Sequence, residues 1–360
     1  MTPLRIAFFG SSLVSAYWNG AATYYRGVLQ ALAANGHRIT FYEPDAYDRQ
    51  RHRDIPDPDW ARVVVYSVED RDGVERALGE ARDADLIVKA SGVGVFDALL
   101  ESGVPAIKRP GAIAAFWDVD APATLDRLAA DADDAFRALV PAYDIVLTYG
   151  GGPPVIAGYR RFGARCCVPI YNGLDPATHH PVAPEPRFAC DLGLVANRLP
   201  DRERRIHKFF IDVAAGLSDH RFLLGGAGWG DKQLPANIGY LGHVYTRDHN
   251  AFNASALAVL NVSRDSMAAY GFSPATRVFE AAGAAACIIT DAWAGIPQFF
   301  EPGREILVAE DGSAVAQQVV QLTPETARRI GAAARARALA DHTYAQRVAL
   351  LQQVLEGNER

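Results

Sequence analysis

The feature that most constrains this chain is a rhythm: short apolar runs of strand length alternate with longer helical stretches, twice over, with a proline-dense break between the two passages. In the first passage "LRIAFFG" (4–10) reads as a strand, "AATYYRGVLQALAANGH" (21–37) as a helix ending near Gly36, and "RITFYEPD" (38–45) as the second strand. "ARVVVYSV" supplies a third, "ADLIVKASGVGVFDALLESG" a strand, glycine-containing loop and helix, and "VPAIKRPGAIAAFWDVDAP" and "YDIVLTYGGGPP" two further strand ends. Five prolines then fall between Pro169 and Pro186 and break any regular element. The alternation restarts with "CDLGLVANR" as strand, "DRERRIHKFFIDVAAGL" as one helix, and "HRFLLGGAGWG" as strand and turn. It continues through a helix over 247–255, the strand "ALAVLNVS", a helix and strand over Ala275–Thr290, and a helical tail over 324–355. Such alternation implies parallel sheets with crossover helices. The expected fold class is therefore α/β, with two doubly wound Rossmann-like domains over 1–168 and 187–340 joined by a linker at 169–186. The last helix, 341–360, is expected to pack back on the first domain, and ligands belong in a central cleft outside the carboxyl ends of both sheets.

At 360 residues the chain exceeds one average core, so two are expected. Thirty-six basic and 42 acidic side chains leave a net charge of -6 without long single-sign runs, which argues against a nucleic-acid binder. No apolar run reaches the length of a membrane span and the first residues lack the pattern of a signal peptide. Cys166, Cys167, Cys190 and Cys287 lack metal-ligand spacing and read as free thiols of a cytoplasmic protein.

The loop from Gly10 to Tyr25 is not G-x-G-x-x-G, so a nicotinamide enzyme loses its main support. Gly20 precedes a helix N-terminus, which either receives an anionic or hydroxyl-rich ligand or is an ordinary turn. Asn19 and Gly20, with Lys89 and Ser91 at a later strand end, are the candidates for lining the cleft from the first domain. Asp118 and Asp120 are spaced to share a strand face, where they could meet one cation, act as acid or base, or stand solvated at a loop end. The expectation is no metal.

In the second half Arg198, Arg202, Arg204, Arg205 and Lys208 cluster after a strand. Arginine forks pair with phosphate oxygens and lysine adds a mobile charge. Arg198 and Lys208 are the candidates, while Arg202 and Arg204 read as a solvated helix face. Arg264 follows the strand "ALAVLNVS", and Arg277 stands three residues before Glu280, either as a phosphate ligand or as half of an intrahelical ion pair. "GYLGHV" offers backbone groups at Gly239 and Gly242 beside His243, with Tyr240 or Tyr245 able to stack on a planar base.

These pieces together resemble the two-domain GT-B glycosyltransferases. "YNGLDP" (171–176), "GYLGHV", "RVFEAAGAAACIITD" (277–291) and "FEPGREILV" (300–308) resemble the family 4 type donor domain over 170–322, in the variant carried by spore-maturation CgeB-like proteins. "YWNGAATYYRGVLQALAANGH", "VKASGVGVFD" and "DVDAPATL" extend that likeness to the amino-terminal half. The resemblance implies that Glu280 holds the donor ribose, that Arg198, Lys208, Arg264 and Arg277 grip its diphosphate, and that Tyr240, Gly242 and His243 line the donor site. It implies transfer of a sugar from a nucleoside diphosphate sugar to an unidentified small-molecule, glycan or protein acceptor, with no cofactor. If the enzyme inverts, Asp118 and Asp120, at a strand end expected to face the cleft, are the candidates for its base. Two rival readings share the architecture: a non-hydrolysing nucleotide-sugar epimerase, and a nucleotide-sugar-binding protein without catalysis. One departure stands out. Family 4 enzymes usually carry a second Glu eight positions before the ribose ligand, and here that position is Phe272.

Overall fold

The structure, a computed structural model, describes residues 2–17 and 19–357. Two compact units emerge, one from residues up to Tyr171 together with the segment from Tyr344 onward, the other from Asn172 to Thr343.

The first unit is a seven-stranded parallel sheet: β1 (Arg5–Phe9), β2 (Arg38–Pro44), β3 (Ala61–Tyr66), β4 (Leu86–Ala90), β5 (Ile113–Asp118), β6 (Ile145–Thr148) and β7 (Cys167–Pro169). Its order, β3-β2-β1-β4-β5-β6-β7, reverses between β1 and β4, the doubly wound switch point. Strands β4 and β6 are buried along their whole length, as helices on both faces require. Phe8, Tyr24, Tyr25, Trp117 and Leu147 share the core with Tyr344, Val348, Leu351 and Val354 of the last helix, Tyr344–Leu355. That helix settles on the helix Ala22–Ala34 because Gly27 has no side chain; a Cβ there would lie 2.2 Å from the Tyr344 ring.

The second unit repeats the plan with six parallel strands: β8 (Cys190–Val195), β9 (Phe222–Gly225), β10 (Ile238–Gly242), β11 (Ala256–Asn261), β12 (Ile288–Asp291) and β13 (Leu307–Ala309). The order is β10-β9-β8-β11-β12-β13, with the switch between β8 and β11. Leu194, Ile206, Phe210, Phe222, Trp229, Leu260 and Ile289 form its core.

Several local expectations change. The single helix expected over "DRERRIHKFFIDVAAGL" is split into Pro200–Ile206, a π-turn at His207–Ile211, and Asp212–Gly216. The proline-dense segment begins as strand, since β7 pairs with β6, and returns to order at Leu174, which bridges to Thr343. The helical tail is two helices, Pro324–Asp341 and Tyr344–Leu355.

Candidate functional site

Glu280 lies on the helix Thr276–Gly283, which leaves the carboxyl edge of the sheet after β11 and returns to β12. Thr276 starts that helix and donates to the Asn172 side-chain oxygen at 2.8 Å, while Asn172 Nδ2 donates to the Pro274 carbonyl at 3.2 Å. These bonds fasten the "YNGLDP" segment to the helix start. The small residues around Glu280 then have a use. A Cβ on Gly283 would stand 2.4 Å from Leu174 Cδ1 and 2.7 Å from the His179 carbonyl, so only glycine lets the helix approach this segment.

The approach brings two histidines to the carboxylate. His179 Nε2 is 3.9 Å from Glu280 Oε1, and His249 Nδ1, on the helix Thr246–Ser255, is 3.8 Å from Oε2. His179 is buried and His249 and Glu280 are half-buried. Burial lowers the His249 pKa, with Glu280 opposing the shift and His179 adding to it. Among the described residues these three are the one group of histidine, cysteine and acidic side chains gathered closely enough to hold a metal ion. Neither histidine was a sequence candidate; each lies far from Glu280 along the chain, and no spacing rule connects them.

Arg277, one turn before Glu280, makes no hydrogen bond or ion pair among the described residues. Burial lowers its pKa and Glu280 works against that shift. Arg277 is thus a guanidinium without a protein anion in contact, so the intrahelical ion pair is not formed.

The other cations are committed elsewhere. Arg198 pairs with Glu203 at 2.8 Å and Asp231 at 3.3 Å, and Arg264 with Asp201. Lys208 sits in the π-turn with its ammonium 5.4 Å from the Phe209 ring and lines a pocket with Asp212 and Asp311. Arg202, expected on a solvated face, is buried and donates to the Asn197 carbonyl at 2.7 Å. Arg205, not a sequence candidate for a role, reaches Asp291 at the end of β12 at 2.6 Å, where Ser263 also donates from its backbone and hydroxyl at 3.1 Å. Burial raises the Asp291 pKa, and Arg205 and Ser263 oppose it.

At the end of β10, Tyr240 is exposed and donates to the Gly226 carbonyl at 3.0 Å. The Gly242 carbonyl accepts from Gly226 N at 2.6 Å, and His243 is exposed with its ring edge-on to Tyr245. Phe272 has a left-handed backbone (φ 47°), and its ring fills the space beside Gly295, where a Cβ would meet it at 2.2 Å.

In the first unit Ser91 and Asp118 meet, at 2.7 Å. Asp118 is fully buried and also accepts from the Asp120 backbone at 2.9 Å and from the Tyr159 hydroxyl. Its oxygens are engaged in joining β5 to its neighbours, which argues against Asp118 as a base. Asp120 is half-buried beyond the strand end, before the helix Ala121–Ala130, so strand alternation does not pair it with Asp118. Lys89 corrects an expectation: it is fully buried against Asp97 at 2.6 Å and Glu101 at 3.5 Å rather than presented to an acceptor. Asn19 likewise spends its amide on its own loop, accepting from Ser11 and donating to the Ser12 and Ser15 carbonyls. Gly20 is exposed, with open space around it.

Residues 202–353 match the family described as Glycosyl transferase-like. The whole chain is similar in structure to a sucrose-phosphate synthase from Thermosynechococcus elongatus, with TM-score 0.68 and 15% identity over 98% of this chain and 99% of that one. It is similar to Anabaena HepE in complex with UDP-glucose, with TM-score 0.68 and 15% identity over 98% of this chain and 100% of that one. It is also similar to AviGT4, a glycosyltransferase involved in avilamycin A biosynthesis, with TM-score 0.63 and 17% identity over 99% of both chains. The chain therefore has the GT-B fold. No curated protein matches it. Among the described residues no helix is long and apolar enough to cross a membrane.

Proposed function

We propose that this chain moves a sugar from a nucleoside diphosphate sugar to an acceptor nucleophile, with the donor held at the carboxyl edge of the second sheet. The observation that carries the reading is Arg277: a guanidinium with no protein anion in contact, one turn before Glu280, inside the stretch that matches the Glycosyl transferase-like family. A diphosphate is the anion it fits, and Glu280 can accept from two ribose hydroxyls. The HepE complex with UDP-glucose supports a uridine donor. Glycosyl transfer builds negative charge on the departing diphosphate, and prepositioned donors stabilise it without a metal. Arg277 is the leading group for that task; Arg198 and Arg264 would have to exchange their carboxylate partners for phosphate, and Lys208 would have to reach from the π-turn. Tyr240, Gly242 and His243 border the nucleotide base.

We assign the chain to the CgeB-like branch, on the motifs of both halves, and to the cytoplasm, where its four free cysteines would stay reduced. Asp120 is the better candidate for a base, because Asp118 is fully buried and already accepts from three donors. With Phe272 where a second carboxylate was expected, the donor sugar is held by other groups.

Glu280→Ala should weaken UDP or UDP-sugar binding by roughly 10- to 150-fold, the value of losing hydrogen bonds to a charged acceptor. Calorimetry on a mutant with an unchanged circular dichroism spectrum checks this; unaltered affinity would remove Glu280 from the donor site.

A further inference from the structure

We infer that His179, His249 and Glu280 form a binding site for a divalent transition cation, zinc by ligand type, and that this cation and the sugar donor exclude one another.

The tautomer of His249 carries the first step. Its Nε2 faces the Val244 carbonyl at 3.3 Å, and a carbonyl only accepts, so the ring proton sits on Nε2. Nδ1 then presents a lone pair toward Glu280 Oε2, 3.8 Å away and beyond hydrogen-bond reach. A histidine that donates one N–H to a backbone carbonyl and aims its other nitrogen at a shared point is the arrangement metal sites use to orient a ligand. His179 supplies the second step: its Nε2 is buried with no hydrogen-bond partner, and it faces Oε1 of the same carboxylate at 3.9 Å. Two imidazole nitrogens and a carboxylate therefore converge from three separate segments, all within 4.8 Å of one another.

Two imidazoles and one carboxylate suit zinc and its neighbours rather than calcium or magnesium, which prefer oxygen. Bonds of about 2.05 Å at tetrahedral angles put ligand atoms roughly 3.3 Å apart, so separations that reach 4.8 Å here must shorten by up to about 1.5 Å as the side chains close on a cation. Three ligands leave one position open.

The exclusion rests on Glu280 being the ribose ligand: oxygens bound to a cation cannot also accept from two hydroxyls. The cation is accordingly an inhibitor of transfer and not its cofactor.

Titration of the full chain with Co2+ tests the site, because tetrahedral Co2+ absorbs in the visible. One equivalent should bind with such a band. His249→Ala and Glu280→Gln should each weaken it by more than about 100-fold, beyond what loss of an outer hydrogen bond costs. His180→Ala, which removes the exposed neighbouring histidine, should not. Absence of binding by the folded wild type, or a band that survives both His249→Ala and Glu280→Gln, would overturn the site. Added UDP should bleach the band. Simultaneous binding of UDP and Co2+ would overturn the exclusion, and with it the ribose role of Glu280, while leaving the metal site standing.

Discussion

At the scale of single residues, Gly283 sets the distance between the histidine segment and the carboxylate. A methyl group at this position would press on a side chain and on a backbone carbonyl at once, and the carbonyl belongs to His179 itself. Overpacking of this kind costs about 1–3 kcal/mol, and Gly283→Ala should therefore lower the melting temperature and impair Co2+ binding together. Thermal melts with a Co2+ titration on the same sample check both, and unchanged Co2+ binding would show that the segment yields without moving His179. The small residues beside Glu280 were legible in the sequence; what they admit was not. His179 and His249 sit in a loop and on a short helix with no periodic relation to Glu280, so only tertiary packing brings them together. The cysteines are simpler. Burial pushes the Cys167 thiol up to about 12, so it should resist thiol reagents at pH 8 until the chain is unfolded, which a timed labelling assay with and without denaturant reads directly.

At the scale of elements, the loop after β1 is held by a carboxylate from a distant turn. Asp54 accepts both ends of the Arg26 guanidinium at 2.8 Å and the Ala16 backbone N–H at 2.9 Å. Partial burial raises its pKa, yet the Arg26 and backbone bonds outweigh that and leave it below the usual 3.8. The sign follows: the unfolded chain takes up a proton near 3.8 before the folded one does, so the stabilisation is present above that pH and is lost as pH falls through the lower folded value. Asp54→Asn should flatten the fall in stability between about pH 5 and pH 3 and cost about 1 kcal/mol at neutral pH, the pair being partly exposed. Urea unfolding at the two pH values checks it; parallel curves for wild type and mutant would remove the pair from the account. Strands and crossover helices were legible as elements because apolar runs and turn residues mark them. The π-turn at His207–Ile211 was not, since its extra residue leaves the apolar pattern "HKFFI" indistinguishable from ordinary helix. The sequence pattern also suggested that Asp118 and Asp120 share a face, but β5 ends at Asp118 and the alternation ends with it.

At the scale of the molecule, two hydrophobic cores are built from different parts of the chain, and the first depends on residues from its far end. Val348, Leu351 and Val354 are fully buried there, while the second core is built from residues between Leu192 and Ile330. The tail's composition marks it as helical, but which sheet it covers follows from Gly27 receiving the Tyr344 ring. Leu351→Ala should therefore destabilise the first unit by about 2–5 kcal/mol, the range for a large-to-small change in a close-packed core. His179, His249 and Glu280 all belong to the second unit, so Co2+ binding at a temperature where the mutant's first unit has loosened should match the wild type. Calorimetric melts paired with Co2+ titrations distinguish the outcomes. A displaced early transition with retained Co2+ binding means two separately stable cores, whereas joint loss means that the second unit requires the first to hold its site.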